Sequence, residues 1–477
     1  MPKTIKMKRI ISLGIVCIFI LQLISCQNAQ MDENIKSAII IADESEDETT
    51  EYQPFAADYD NADFNMLVRE ERMYYLFIDE ISGDVFNDTV YERNNKVQEY
   101  YNVKLNYISA QTANMPTLVR SSVMAGDGSY DLVMPDYYSF SITEDIFCNL
   151  LDFDVLNFDS EWWCQGWNDN ITFNGKLYSC VGDFCLDLLR NTHVVYFSKH
   201  AINEYGLESP YDLTKSGKWT LDTMVEMGRN MAQDLNADGK YDLNDSYGIY
   251  SHLQSRKGVL QSIGVMITTH DNNSISYNFD NDIFYEKYEK VWNLFNNETS
   301  LLYNGDTAAD FTTIPAYSVF NSGNIMFILS GLFAVDGMRT SDVDFGIVSV
   351  PKYDEAQEKY ISYNHGCSPC MIPITASDPE MSAVVLEALN YYSSTMTVPA
   401  YYEQVLKTKV TRDNDSAEML DLIFNSLQFD FAFINNSDLK NVWTSICSVE
   451  NESIASYIES NRQKWDEALE SLLNPEQ

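Results

Sequence analysis

Val103-Lys-Leu-Asn-Tyr-Ile108 alternates apolar and polar side chains, Met115 to Met124 repeats its apolar residues at helical spacing, and Tyr130-Asp-Leu-Val-Met134 is a short apolar run ended by Pro135. The period changes from two to about 3.6 and back, which predicts strand, helix, strand. Between helix and second strand, Ala125-Gly-Asp-Gly128 supplies the residues that stop a helix and turn the chain. Working outward, Asn87 to Tyr101 reads as a helix, and Met73 to Ile78 as a β-prone run, with order beginning near Phe64. Strands alternating with helices in this way build a parallel sheet with helices on its faces. The pattern restarts at Thr192. Val194-Val-Tyr-Phe197 is a strand, Thr220 to about Met231 a helix with Thr220 as cap and Asp222 in its first turn, and Asn324 to Leu329 another strand. The expected fold class is α/β, in two lobes.

Composition agrees with a folded chain of several units. The 477 residues are 45% apolar and 21% charged, enough for more than one core. Lys and Arg number 31 against 71 Asp and Glu, a net charge of −40 that repels phosphate backbones and so argues against nucleic-acid binding.

The N-terminus carries an address. Lys3, Lys6, Lys8 and Arg9 precede the mostly apolar run Ile10 to Ile24, shorter than the roughly 20 residues of a membrane-spanning helix and ordered like a signal peptide. It ends in Leu23-Ile24-Ser25-Cys26, which resembles the lipobox of bacterial lipoproteins. That resemblance implies cleavage after residue 25, lipidation of Cys26 and attachment to the outer face of the cell membrane. Residues 26–62 read as a tether, because Asp43 to Glu51 is dominated by acids that keep a segment extended and solvated.

Seven cysteines remain beyond Cys26, an odd number that argues against a complete disulfide framework. Cys367-Ser-Pro-Cys370 has redox or zinc spacing but no second such pair to close a metal site.

In open α/β sheets ligands bind where strands end at their carboxyl side. Two loops satisfy that rule: Pro135-Asp136-Tyr137-Tyr138-Ser-Phe140, and Ser330-Gly331-Leu332-Phe333.

Several blocks in order carry a wider resemblance. They are Arg93-Asn-Asn to Tyr101-Asn-Val, Met124-Ala-Gly-Asp-Gly to Tyr130-Asp-Leu, and Asn174-Gly-Lys-Leu177. Tyr205-Gly-Leu to Pro210-Tyr-Asp-Leu, Ser216-Gly-Lys-Trp-Thr220, Phe345-Gly-Ile to Val350-Pro-Lys, and Pro399-Ala-Tyr-Tyr to Leu406-Lys-Thr-Lys complete the set. Across residues 85–477 the chain resembles the extracellular solute-binding lipoproteins of ABC importers, the maltose-binding-protein-like group. The resemblance implies a two-lobed periplasmic-binding-protein type II fold with a hinge and an interlobe cleft. Lobe 1 would comprise 63–183 and 348–397, lobe 2 186–345 and 400–477, with the cysteines at 180, 185, 367 and 370 near crossings or the cleft wall. It further implies that Asp136, Tyr137 and Tyr138 meet sugar hydroxyls, that Phe333 stacks on a sugar ring, and that Asp183 and Phe184 line the cleft. Trp163, in a cluster with Trp162 and Trp167, is a further candidate. Phe stands at 333 where maltose-binding protein has Trp, so the sugar itself does not carry over.

The implied function is capture of a carbohydrate solute by hinge closure and delivery to the transmembrane subunits of an ABC permease, by a monomer that needs no cofactor. A ligand-sensing partner of a membrane receptor kinase would use the same closure, and a secreted glycoside hydrolase is the enzymatic alternative. The sequence carries no GxSxG elbow, P-loop or zinc signature.

One motif stands apart. Asp234-Leu-Asn236-Ala-Asp238-Gly239-Lys240-Tyr-Asp242-Leu-Asn-Asp245 places oxygen side chains at positions 1, 3, 5, 9 and 12 of a calcium loop, with Gly at 6 and the Lys240 carbonyl at 7. A structural Ca²⁺ is one reading; an Asp/Asn/Gly-rich surface turn is the other.

Overall fold

Met73 to Ile78, read above as the first strand, is not one. In the computed structural model the first strand, β1, is Ala62–Arg69, with Phe64, Met66, Leu67 and Val68 fully buried, while Met73–Leu76 forms a single helical turn. The structure describes residues 54–141, 144–239, 245–271, 274–304, 320–338, 343–406, 414–435 and 453–473, with positions 439, 442 and 446. The signal peptide, Cys26, Lys240, Asp242 and Cys447 lie outside the described residues. Order starts before Ala62: the Tyr59 and Asn61 N–H groups donate to the carbonyls of Tyr101 and Asn102 at 3.0 and 2.7 Å.

The position of β1 follows from its pairing. It lies between β2 (Val103–Ala110) and β3 (Leu132–Met134), parallel to both. A strand paired on both edges and covered on both faces needs a nearly continuous apolar run, which Phe64 to Val68 approximates. Tyr75 and Leu76 are buried instead as a turn, and the Leu76 carbonyl accepts from both Arg93 Nη2 and Asn94 Nδ2 at 2.8 Å.

Of the longer helices, α1 (Val85–Tyr101) starts at the Asp84 cap, whose carboxylate accepts the Asn87 N–H at 2.9 Å, and ends at Asn102 in the left-handed region. Helix α2 (Met115–Ala125) ends at Gly126 with φ 63°. Together β1, α2, β3 and the loop beyond it bury Leu67, Met115, Val119, Val133, Phe140 and Phe147 around Met371.

Among the described residues the second sheet has five strands. β4 is His193–Ser198 and β5 Tyr247–His252; β6 (Thr268–Asp271) and β7 (Ser274–Tyr277) form a separate antiparallel pair; β8 is Leu301–Asn304, β9 Ile325–Gly331 and β10 Phe345–Ser349. The order is β10-β4-β9-β5-β8, with β9, β5 and β8 parallel and β4 antiparallel to both its neighbours. Every residue of β4 and β9 is buried, as central strands require. Helix α3 (Leu221–Arg229), capped by Thr220, packs on β5 where Gly228 and Gly248 bring two backbones together with no room for a Cβ on Gly248. Helices α4 (Leu253–Ser262) and α5 (Asp282–Asn297) lie beside it.

Two chain segments join the sheets side by side. Cys180 and Cys370 exchange both backbone hydrogen bonds at 3.0 and 2.8 Å on the first-sheet side. His193 N–H donates to the Tyr363 carbonyl at 2.8 Å on the second. A third connection is helical. α6 (Pro379–Tyr392) packs on α1, passes through a π-helical stretch at Ser393–Thr397 into α7 (Val398–Leu406), and the chain reaches α8 (Asn414–Asn425) against β10. The C-terminal helix α9 is Ile454–Leu473.

The expected return to the first lobe at residue 348 falls inside β10. Val348 and Ser349 pair with Val195 and Val194, and Lys352 exchanges backbone bonds with Trp219 and Leu221. The chain therefore stays on the second sheet until the crossing at 364–370. Among the described residues no helix is long and apolar enough to cross a membrane.

Candidate functional site

The carboxyl ends of β1 and β3 place two loops next to the returning segment 366–371. Arg69, the last residue of β1, is buried among oxygens. Its Nη2 lies 3.1 Å from Asp136 Oδ2 and 2.9 Å from Glu71 Oε1, its Nε donates to Thr112 Oγ1 at 3.0 Å, and its Nη1 donates to Ser368 Oγ at 3.4 Å. Ser368 Oγ in turn donates to Asp187 Oδ2 at 3.0 Å, and Arg72 Nε lies 2.8 Å from the same oxygen. Charge thus alternates through Glu71, Arg69 and Asp136, and again through Asp187 and Arg72. Burial pushes the Asp187 carboxyl upward, while Arg72 and Arg69 pull it back.

Beside this network Asp136, Tyr137, Phe140, Ser141, Ile171, Tyr178, Ser179, Pro369, Met371 and Ile434 line a small pocket, partly open to solvent, with about 20 Å³ of room at its centre. Its walls mix aromatic faces with hydroxyl and carboxylate oxygens, a surface suited to a ligand with both flat apolar faces and polar edges. Tyr137 is buried; its Oη donates to the His365 carbonyl at 3.3 Å and its ring meets that of the exposed Tyr138 at 5.3 Å. Burial holds the Tyr137 phenol well above its ordinary range, so it acts as a neutral donor.

Phe333 follows β9 in a short 3₁₀ turn and is partly buried, its ring edge-on to His365 at 5.8 Å. His365 is also 5.2 Å from His193. Phe333 is therefore linked to the Asp136 pocket through His365, the residue whose carbonyl Tyr137 holds.

Three sequence candidates sit elsewhere. The Phe184 ring is buried beneath the Arg93 guanidinium at 4.8 Å, and its N–H donates to Asn390 Oδ1 at 3.0 Å. Trp163 is buried with Nε1 on Glu387 Oε2 at 3.1 Å, and Trp162 holds the other oxygen at 3.1 Å. Burial raises the Glu387 carboxyl to about 7, although both indole bonds oppose the shift. Asp183 is partly buried near Glu161, and desolvation raises it to about 8. None of the three lines the Asp136 pocket, and Phe184 and Trp163 turn toward the packing between the first crossing and α6.

The reading of the sequence missed Arg69, Glu71 and Arg72 because it placed the first strand too late; the charged run directly after Phe64 to Val68 was the available signal. Nothing local announced Ser368, Pro369 or Ile434, which arrive through crossings far along the chain.

In the calcium-like loop, Asp234 Oδ2 accepts the Gly239 N–H at 2.9 Å, Asn236 Oδ1 that of Asp238 at 2.9 Å, and Asp245 Oδ1 that of Leu235 at 3.0 Å. Ala237 and Gly239 have positive φ, 57° and 77°. Among the described residues no three His, Cys, Asp or Glu gather where they could hold a metal. The six described cysteines beyond Cys26 are free thiols, and burial raises those of Cys180, Cys185, Cys367 and Cys370.

No protein-family model and no curated protein matches this sequence. Solved structures do. A sugar transporter from Rhizobium etli in an open conformation aligns with TM-score 0.57 at 14% identity, covering 86% of this chain and 98% of its own. An ABC substrate-binding protein from Listeria monocytogenes in complex with cycloalternan gives 0.55 at 12%, over 86% and 100%. A cyclo/maltodextrin-binding protein complexed with maltotetraose gives 0.54 at 12%, over 89% and 96%. The fold is thus the α/β two-lobed periplasmic-binding-protein type II fold, with a hinge and an interlobe cleft.

Proposed function

We propose that the chain is the substrate-binding lipoprotein of an ABC importer, capturing a sugar or oligosaccharide by hinge closure and handing it to a membrane permease. The observation that carries the reading is the pocket at the carboxyl ends of β1 and β3, where Asp136 and Tyr137 meet a wall, Ile434, from the C-terminal part of the chain. A ligand touching both sides favours the closed arrangement by its differential contacts. Asp136 is the hydroxyl acceptor, held in place by Arg69; Tyr137 and Phe140 offer apolar ring faces. The solved structures of the same fold named above include sugar binders, which supports the carbohydrate class.

The lipobox-like Leu23 to Cys26 supports attachment to the outer face of the cell membrane by a lipid anchor, and the protein proposed here acts as a monomer. A Ca²⁺ at 234–245 would be structural, taking oxygens from Asp234, Asn236, Asp238, Asp242 and Asp245 and the Lys240 carbonyl; Asp234, Asn236 and Asp245 each use one side-chain oxygen on a backbone N–H.

The test is calorimetry and thermal shift of the chain with maltotetraose and other mono- and oligosaccharides. A bound sugar stabilises the fold by RT ln(1 + [L]/Kd), about 2.7 kcal/mol at one hundred times Kd. Saturable binding with no product formed is the expected result. Turnover of the sugar, or no shift with any carbohydrate, overturns the reading.

A further inference from the structure

The segment Leu427–Ile434 touches both halves of the molecule, and the two sets of contacts differ in kind. Toward the second sheet it is tied by hydrogen bonds. Ser362 N–H donates to the Ser426 carbonyl at 2.8 Å, Gln428 N–H to the Ser362 carbonyl at 3.2 Å, and Gln261 Nε2 to the Gln428 carbonyl at 2.6 Å. The buried Asp430 carboxylate accepts from Ile267 N–H, from Thr268 Oγ1 at 2.8 Å and from Ala432 N–H at 3.1 Å. Such a multiply bonded carboxylate fixes a segment firmly.

Toward the first sheet the contacts are aromatic and end on one short helix, Gln165–Ile171, and the turn after it. Phe429 meets Trp167 edge-on at 5.0 Å, and Phe431 meets Phe173 at 5.6 Å. Ile171 and Ile434 then stand together in the lining of the Asp136 pocket. Packing of this sort can part and re-form without leaving a polar group unsatisfied, unlike the bonds on the other side.

Gly166 decides how close the two come. Its backbone is not in the left-handed region, so no turn demands a glycine, yet a Cβ there would overlap the carbonyl of Leu427. The obstacle is backbone, which cannot rotate aside as a side chain would, so any larger residue must push the segment away.

We propose that Gly166 is a positioning residue for ligand capture: its missing side chain lets Leu427–Ile434 seat against Gln165–Ile171 and so places Ile434 as the far wall of the pocket. The ligand-binding part of this inference rests on reading the Asp136 pocket as the solute site. The seating itself does not.

The test compares the full chain with Gly166→Ala, Gly166→Val and Ile434→Ala, each without ligand and with maltotetraose. Hydrogen exchange read by mass spectrometry should show faster exchange in 165–173 and 427–434 for both Gly166 variants, with β1 and β4 as protected as in the parent. Small-angle scattering should show a larger radius of gyration. Ile434→Ala should leave exchange and radius unchanged but weaken maltotetraose by about tenfold. Should Gly166→Val fail to fold, Phe429→Ala removes the neighbouring ring contact with Trp167 on the same seat and should reproduce the exchange pattern. Unchanged exchange and radius in the Gly166 variants overturn the seating. Normal maltotetraose affinity in a Gly166 variant that has opened overturns its role in capture. Failure of the parent to bind maltotetraose counts against the carbohydrate reading alone, and the ligand-free measurements still decide the seating.

Discussion

Arg69 and Asp136 close a 3.1 Å ion pair where two neighbouring parallel strands end, and both side chains are almost wholly buried. A buried carboxylate left without its cation is costly, so Arg69→Met should lower stability by about 3 kcal/mol. Replacing both groups, as in Arg69→Met with Asp136→Leu, should recover much of that loss, because no charge is then stranded. Urea unfolding of the two variants checks the order; equal losses would mean the pair is not coupled.

The raised carboxyl of Asp183 gives stability a pH slope of definite sign. Its folded-state value of about 8 exceeds the ordinary carboxylate range, chiefly through desolvation and then through Glu161. Between about pH 4 and 8 the folded form therefore holds a proton that the unfolded chain has released, and stability contributed by this group falls as pH rises. Asp183→Asn, neutral throughout, should gain on the parent as pH goes from 5 to 8. Melting curves at matched ionic strength test it, and a constant difference across that window would contradict the assignment.

Glu387 follows the same sign over a narrower window, ending near its folded value of about 7. Glutamine at 387 can accept from only one of the two indoles, Trp162 and Trp163. Glu387→Gln should therefore cost about 1 kcal/mol at pH 5, an offset that shrinks as pH approaches 8. The check is a pH series of unfolding curves on parent and variant.

Phe333 is partly buried and touches the pocket only through His365. Phe333→Ala should leave the unliganded melting temperature nearly unchanged while reducing the thermal shift given by oligosaccharides. Loss of stability without loss of ligand shift would place the ring in the packing rather than at the ligand.

Calcium titration followed by melting temperature tests the loop at 234–245. A rise with Ca²⁺ that Asp234→Ala abolishes is expected. A parent indifferent to Ca²⁺ makes the loop an ordinary turn, held by bonds such as Asp234–Gly239, Asn236–Asp238 and Asp245–Leu235.

Local signals in the sequence predicted local structure well. The Thr220 cap, the Gly126 stop and the apolar runs of β4 and β9 could be read directly, because each depends on neighbours a few residues away. The pocket was legible only in half. Asp136 and Tyr137 follow from the rule that loops at strand ends meet ligands, and so would Arg69 have done had Phe64 to Val68 been preferred to Met73 to Ile78 as the first strand. Clustering offered Trp163 as a ligand platform and the resemblance offered Phe184 as a cleft wall, but Glu387 and Arg93 hold them in the interior. The chemistry of a side chain does not state which way the backbone will turn it.

The first sheet has its own bearing on how the molecule comes into being. Val133 in β3 takes its next partner from Met371, and Cys180 from Cys370, so the early half of the chain holds an open strand edge until the return segment has been made. A chain emerging from the ribosome in order therefore cannot finish its N-terminal half first. Such distant pairings raise contact order and slow folding, because a long loop must close before its contacts repay the entropy. For the exported lipoprotein proposed above, which would cross a membrane as an unfolded thread, late completion of the first half would keep that thread slack until it has passed through.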